Sequence, residues 1–312
     1  MPSWQSLNAG YRTSQFFTIA VDAYGSSNRV LAGMMDNGAY AAESPLESTR
    51  WTSLLGGDGA YCGITRSGQY YYASTQNSRI FRLTLNGSLE YTTFTRVDPT
   101  GGGASEGQEY LFVNPFVPAP ENQNVMYLAG GDRLWRNDNL SQIPSFSNDP
   151  TRFNWRELPD TRISSGQISA LEASVNPAGV VYYGTTDGRI FRLDSARSDD
   201  PPVRDITSVG FPREAYVASI AVDPADADHA VVAFSNYGVQ SVFTTFDGGH
   251  TFSHVGGNLE EYPDGRGNGP SVRWITIVPR RQDGNLYFAG TSTGLYATEQ
   301  LEGGAALWVQ ES

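Results

Sequence analysis

The sequence predicts an all-β fold made of six repeated four-stranded units. Charged residues make up only 17% of the 312-residue chain, whereas glycine occurs 34 times and aromatic residues make up 12%. This composition is typical of short strands joined by tight turns. Four apolar segments, separated by turns rich in Gly, Pro, Asn and Asp, recur along the chain, and an aromatic residue marks the third segment of each copy. The pattern predicts a β-propeller, in which four-stranded sheets pack face to face around an axis.

The aromatic residue of the third strand gives the period of the repeat. Successive copies lie about 41 to 56 positions apart, close to the roughly 40–50 residues that a blade with its loops requires. The second strand of each unit is apolar at nearly every position, which indicates burial on both faces and favours a propeller over a β-sandwich. The marking aromatics are Tyr40, Phe81, Trp135, Phe191, Phe243 and Tyr296.

The repeats form one domain, residues 1–312. Its predicted blades span approximately residues 12–55, 56–109, 110–160, 161–210, 211–262 and 263–312, with residues 1–11 as a closing strand.

The number of blades in the ring is open, because residues 4–7 and 308–310 both have the pattern of an outermost fourth strand. In one interpretation the ring has six blades and the N-terminal strand closes the last one. In the other it is a seven-bladed ring lacking most of one blade, and the abrupt end at Ser312 favours a fragment or a processed subunit. A seven-bladed ring would leave two large apolar blade faces at a gap. We therefore expect a protein partner, or a missing segment of the parent chain, at the seam between blades 1 and 6.

One turn, in the fifth unit, has a sequence specific for hairpins. An Asp side chain can accept hydrogen bonds from N–H groups of its own turn, and glycine supplies the positive φ that the reversal needs. The stretch resembles the Asp box of β-propellers such as sialidases, sortilin-type receptors and xyloglucanase-type glycoside hydrolases, which implies a structural role away from any catalytic face. The residues that carry it are Thr245, Asp247, Gly248, Gly249, Thr251 and Phe252.

The chain as a whole resembles the sortilin-like and xyloglucanase-like (Asp-box, BNR-type) propeller modules of large secreted bacterial proteins. This resemblance implies an extracellular or cell-surface location, although the chain carries no signal sequence. The chain differs from the pattern in having one good Asp box rather than several. The segments that carry the resemblance are residues 4–16, 36–38, 56–59, 114–116, 184–189, 256–259, 269–274 and 289–296.

Charge and residue usage exclude several classes of function. The net charge of −12 argues against binding to nucleic acid or to an anionic membrane surface. No apolar stretch approaches the 18 residues that a membrane span needs. The three histidines lie in turns of one unit without a metal-binding motif, so we expect no metal and no cofactor. The single cysteine, Cys62, cannot form an intrachain disulfide and is predicted to be a buried, unreactive core thiol.

Catalytic candidates follow from the chemistry of glycoside hydrolysis, which needs two carboxylates facing each other across a cleft. Asp36 and Asp58 are the candidates, and Gly-rich residues 56–59 would let a ligand approach the backbone. Asp132 and Asp187 also lie near inter-strand turns. The alternative interpretation of Asp58 is a cap on the turn that enters an innermost strand.

Ligand-binding candidates are Tyr61, Trp274 and Tyr11, because exposed aromatic rings can stack on sugars, together with Asp187 near an inter-strand turn. We predict a non-catalytic, extracellular or cell-surface module for binding or protein interaction, with a glycan as a further candidate ligand. The alternative is part of a glycan-active glycoside hydrolase whose cleft a second domain completes. A photosystem assembly factor would show an arginine patch, and only residues 280–281 are dense in arginine.

Overall fold

The computed structural model describes residues 14–22, 27–46, 49–100, 110–280 and 284–311. Within these ranges the chain forms six four-stranded sheets, and its helical elements are short 3-10 turns. The strands of every sheet are antiparallel and hydrogen-bonded in chain order. The fold is an all-β propeller of six four-stranded blades, as the sequence predicts.

The first three blades contain twelve strands. Blade 1 comprises β1 (Phe16–Val21), β2 (Val30–Met34), β3 (Gly38–Ala42) and β4 (Thr52–Leu55). Blade 2 comprises β5 (Gly59–Ile64), β6 (Tyr71–Thr75), β7 (Arg79–Leu85) and β8 (Tyr91–Arg96). Blade 3 comprises β9 (Phe116–Pro118), β10 (Met126–Ala129), β11 (Leu134–Asn137) and β12 (Trp155–Leu158).

The last three blades contain the other twelve strands. Blade 4 comprises β13 (Ile168–Ala173), β14 (Val181–Thr185), β15 (Ile190–Leu193) and β16 (Val203–Asp205). Blade 5 comprises β17 (Val217–Asp223), β18 (Asp226–Phe234), β19 (Val242–Thr245) and β20 (Ser253–His254). Blade 6 comprises β21 (Val272–Arg280), β22 (Gly284–Thr291), β23 (Gly294–Thr298) and β24 (Val309–Gln310). The 3-10 turns are Gln76–Ser78, Leu140–Gln142, Pro159–Thr161, Gly257–Leu259 and Gly303–Ala305.

The first strand of each blade lies innermost. Residues of β1, β5, β9, β13, β17 and β21 together line one axial cavity, so these six strands surround a channel. All six predicted aromatics lie in the third strands, β3, β7, β11, β15, β19 and β23. The predicted closing strand, residues 1–11, lies outside the described residues.

The core consists of apolar layers between neighbouring blades. Among the described residues, five clusters lie between blades 1 and 2, 2 and 3, 3 and 4, 4 and 5, and 5 and 6. The second strands β2, β6, β10 and β14 are buried along their whole length, and β18 is buried throughout its C-terminal part. This burial explains why the second strands are apolar at nearly every position.

Buried arginines join three pairs of neighbouring blades. Arg82, Arg136 and Arg192 each follow the third-strand aromatic directly. Arg82 donates to the carbonyl oxygens of residues 140 and 143 of blade 3. Arg136 donates in the same way to residues 196 and 198 of blade 4. Arg192 donates to the Asp228 carboxylate of blade 5, over 2.5 Å. These bonds satisfy carbonyls and charges that would otherwise be buried without a partner.

Candidate functional site

The Asp-box turn lies between β19 and β20, on the periphery of blade 5. The Asp247 carboxylate accepts hydrogen bonds from the Thr251 hydroxyl (2.6 Å), the Thr251 N–H (2.9 Å) and the Thr245 hydroxyl (2.8 Å). The two bonds from Thr251, with the bond from Thr245, lower the pKa of Asp247 to about 2. Gly248 and Gly249 have φ values of 68° and 88°, which favour glycine. The carboxylate is therefore engaged within its own turn.

The two catalytic candidates, Asp36 and Asp58, lie next to each other where blades 1 and 2 meet. The N–H of Asp36 donates to the Asp58 carboxylate over 2.8 Å, and the N–H of Asp58 donates to the Gln76 side chain over 3.2 Å. Asp36 has a φ of 58° in the turn between β2 and β3. The Asp58 carboxylate thus caps the turn between β2 and β3 of blade 1, which is not the turn into an innermost strand that the alternative interpretation names. A catalytic role for the pair stays a prediction.

The other two carboxylate candidates lie in separate blades, each bound to local partners. Asp132 accepts hydrogen bonds from Arg133 (2.8 Å) and Arg162 (2.7 Å). Asp187 accepts hydrogen bonds from the hydroxyls of Ser165 and Thr185, each with a length of 2.5 Å. The structure therefore does not bring these carboxylates together with Asp36 and Asp58 around one cleft. Tyr11 lies outside the described residues.

Two ligand candidates, Tyr61 and Trp274, meet at the axial channel. Tyr61 belongs to β5 and Trp274 to β21, and their ring centroids lie 6.3 Å apart. Tyr61 also contacts Phe116 of β9, with 6.3 Å between ring centroids. Both Tyr61 and Trp274 line a cavity of about 330 Å³ inside the channel and a second cavity of about 310 Å³ beside it. Inner strands of blades 2, 3 and 6 thus form an aromatic wall.

A carboxyl group that sequence reasoning missed, Glu172, lies in the same channel. It belongs to β13 and is the one acidic residue among the described residues that line the two cavities. Burial raises the pKa of Glu172 to about 7, and a hydrogen bond from the N–H of Ala173 offsets part of that rise. The available signal was a lone charged residue within an otherwise uncharged inner strand, residues 168–173.

Cys62 departs from its prediction, because it is half-buried and lines the channel rather than lying sealed in the core. The side chains of inner strands border the axial cavity, which sequence periodicity alone does not reveal. Burial raises the pKa of the Cys62 thiol to about 12, with the Thr18 hydroxyl lowering it slightly. Thiolate is the reactive form, so this shift supports low reactivity despite the partial exposure.

The sheet face of blade 6 that points away from blade 5 is exposed and apolar. Ile275 and Ile277 of β21 pack against blade 5, so Trp274 and Val278 point to the opposite face. Cross-strand pairing places Leu286 opposite Val278 on that face. We call this surface the seam face; its residues are Trp274, Val278, Leu286, Phe288, Leu295 and Val309, with Leu307 beside them.

Blade 1 presents the other side of the same seam. Ala20 of β1 packs against blade 2, whereas Ile19 and Val21 are 50% and 58% exposed. Within the ranges that the structure describes, the strands of blades 1 and 2 and of blades 5 and 6 pack closely, those of blades 2 and 3 pack less closely, and no comparable strand packing joins blades 1 and 6. No hydrogen bond joins the described residues of these two blades.

The described residues contain neither a membrane-spanning helix nor a metal-binding cluster. None of their helices is long and apolar enough to cross a membrane. No group of three or more His, Cys, Asp or Glu side chains in the same ranges is placed to hold a metal ion.

The fold and the channel define a β-propeller, and comparisons with known proteins agree at that level. No family model and no curated protein matches the chain. A GH74 enzyme from Niastella koreensis aligns with 94% of this chain and 46% of its own, with a TM-score of 0.65 and 14% identity. The β-propeller domain of Cps50 (Swd1) from Myceliophteria thermophila aligns with 96% of this chain and 87% of its own, with a TM-score of 0.59 and 12% identity.

These identities show the fold alone, and this chain spans less than half the length of the GH74 enzyme. The finer resemblance to sortilin-like, BNR-type modules stays a prediction.

Proposed function

We propose that this chain is a non-catalytic protein-interaction module whose seam binds an apolar β-sheet of a partner protein. The observation that carries the proposal is the partial exposure of strand β22. It is the second strand of its blade, and yet it is half-buried where β2, β6, β10 and β14 are fully buried. No sheet formed by the described residues covers the exposed face of β22 as the neighbouring sheets cover its counterparts.

The chemistry of the seam face indicates the kind of partner. Its centre is apolar, with Leu307 and Val309 at 65% and 58% exposure, and such a surface is stabilised by a covering apolar sheet. A cavity of about 500 Å³ beside it is bordered by Glu299, Glu302 and Glu311. An apolar sheet rimmed by Lys or Arg would complement this border. A second copy of this chain, with its net charge of −12, is a poorer match.

The proposal is tested by photo-cross-linking from the seam in native host cells. A photoreactive p-benzoylphenylalanine at Leu307 should yield one cross-linked partner protein. The same probe at Val209, an exposed loop residue that is not part of the seam face, should yield none. Binding of the purified partner should weaken at least about tenfold with Leu307→Asp plus Val309→Asp, and not with Val209→Asp. These exposed substitutions should leave the fold intact.

The proposal fails if the probe cross-links only to a second copy of this chain or to its residues 1–13. It also fails if the probe gives no product, or if the double variant binds the partner normally.

A glycan-active hydrolase is the second candidate, because the likeness to the GH74 enzyme covers 94% of this chain. Its carboxylates would be Asp36 and Asp58, with the cleft completed by a second domain. Hydrolysis of β-glucan by the protein, abolished by Asp58→Asn and retained by Asp132→Asn, would support this function over the first. We further propose an extracellular or cell-surface location, supported by the resemblance to secreted modules; recovery of the native protein in the cytoplasmic fraction alone would contradict it.

A further inference from the structure

We propose that the axial channel binds a small primary alkylammonium ion, with the Glu172 carboxylate as its counter-charge and the rings of Tyr61 and Trp274 as its wall. The site shares Trp274 with the axial edge of the seam face, but it does not require a partner there and is independent of the proposed function.

The first observation is a carboxyl group without a cationic partner. No arginine or histidine of the described residues forms an ion pair with Glu172, although sixteen such pairs occur elsewhere in those ranges. Glu172 is partly buried in the channel, and a cationic partner stabilises a carboxylate that has lost part of its hydration. The chain contains no lysine, so none of its own side chains can supply an ammonium group. An external cation would meet this need.

The second observation is the aromatic wall. A cation is attracted to the face of a Trp or Tyr ring, and more strongly where water is excluded. Tyr61 is close enough to Glu172 for the carboxylate charge to contribute to the raised pKa of Tyr61, after the larger effect of burial. The cavity of about 330 Å³ is otherwise bordered by apolar side chains such as Ile64 and Val222. An alkyl chain with a charged end matches this lining.

The other ionisable groups around the channel allow a pH test. Burial raises the pKa values of Tyr61, Cys62 and Tyr216, so these groups are neutral near pH 7. Tyr182, which lies opposite Glu172 on β14, has a pKa raised to about 12. On β17 the Asp223 carboxylate is bound to His229 and Asn285. The remaining ionisable groups that border the two cavities are Arg66, Tyr237 and Arg273.

The experiment measures binding of butylammonium, with 1-butanol as the neutral probe of the same shape, by ligand-observed NMR on the full chain. We expect butylammonium to bind and butanol to bind at least about tenfold more weakly. Affinity for butylammonium should rise between pH 6 and pH 8 as Glu172 ionises. Glu172→Gln should lower it at least about tenfold and remove the pH dependence, and Trp274→Leu should lower it less.

The matched control is Glu121→Gln, because Glu121 is exposed and does not border either cavity. This variant should bind as the wild type does. The proposal is overturned if butylammonium does not bind, if butanol binds equally well, or if Glu172→Gln and Glu121→Gln have the same effect.

Discussion

Tyr61 of blade 2 and Trp274 of blade 6 lie in ring contact across the channel, 6.3 Å between centroids, although blade 1 separates their blades in the ring. This contact joins blades 2 and 6 beside the axis, whereas no hydrogen bond joins the described residues of blades 1 and 6.

The ring contact should contribute measurably to stability. In a double-mutant cycle, Tyr61→Ala and Trp274→Ala should show a coupling of about 1 kcal/mol in the free energy of unfolding, the usual size for an aromatic pair. The control cycle pairs Trp274→Ala with Tyr91→Ala, since Tyr91 contacts Phe94 in blade 2 instead. The effects of those two substitutions on the free energy of unfolding, measured by chemical denaturation, should be additive. Equal coupling energies in both cycles would refute the contact between Tyr61 and Trp274.

Glu172 should make stability depend on pH in a direction opposite to that of most carboxylates. Its pKa in the folded state is raised to about 7 by burial, above the ordinary value of 4.5. Its contribution is therefore fully present below pH 4.5 and is lost as pH rises toward 7.

Glu172→Gln should thus raise the free energy of unfolding at pH 8 by on the order of 1–3 kcal/mol, and leave it nearly unchanged at pH 4. Denaturation of both proteins at the two pH values measures this. A variant less stable than the wild type at pH 8 would show that the ionised carboxylate is stabilised by a partner.

Asp247 should contribute to stability through its turn, in the ordinary direction. Its lowered pKa of about 2 means that the contribution is present above the ordinary value of 3.8 and is lost as pH falls toward 2. Because the side chain is exposed, Asp247→Ala should cost only about 1 kcal/mol, measured by urea denaturation at pH 7. The same variant should still bind partner and ligand, and a stable variant that had lost binding would contradict a structural role.

Gly33 should be essential to the contact between blades 1 and 2. A Cβ at this position would overlap the carbonyl oxygen of Ala60 in β5, whereas a Cβ at Gly87 would meet nothing within 4 Å. Backbone cannot move as easily as a side chain, so Gly33→Ala should cost about 3 kcal/mol. Gly87→Ala, the matched control, should change stability by less than about 1 kcal/mol. Similar thermal unfolding of both variants would mean that the two blades lie further apart than described.

Repetition made the fold predictable, whereas the candidate site depends on contacts between distant blades. The spacing of Tyr40, Phe81 and their counterparts fixed the third strands, because each blade places an aromatic residue, buried or partly buried, in that strand. Periodicity is a local signal, however, and it could not show that Tyr61 meets Trp274 or that Cys62 borders a channel. Glu172 was missed because one charge in an apolar strand gives no hint of which face it occupies.

The most direct test of the open seam is hydroxyl-radical footprinting of the isolated chain, comparing valines with one another so that side-chain chemistry is constant. Val21 and Val309 at the seam are each 58% exposed, the loop residue Val209 is fully exposed, and Val242 is fully buried. An open seam predicts that Val21 and Val309 are oxidised at rates within a few-fold of Val209, and that the bound partner protects them. Oxidation of both seam valines as slow as that of Val242 in the isolated chain would mean that blades 1 and 6 close on each other and that no partner site exists there.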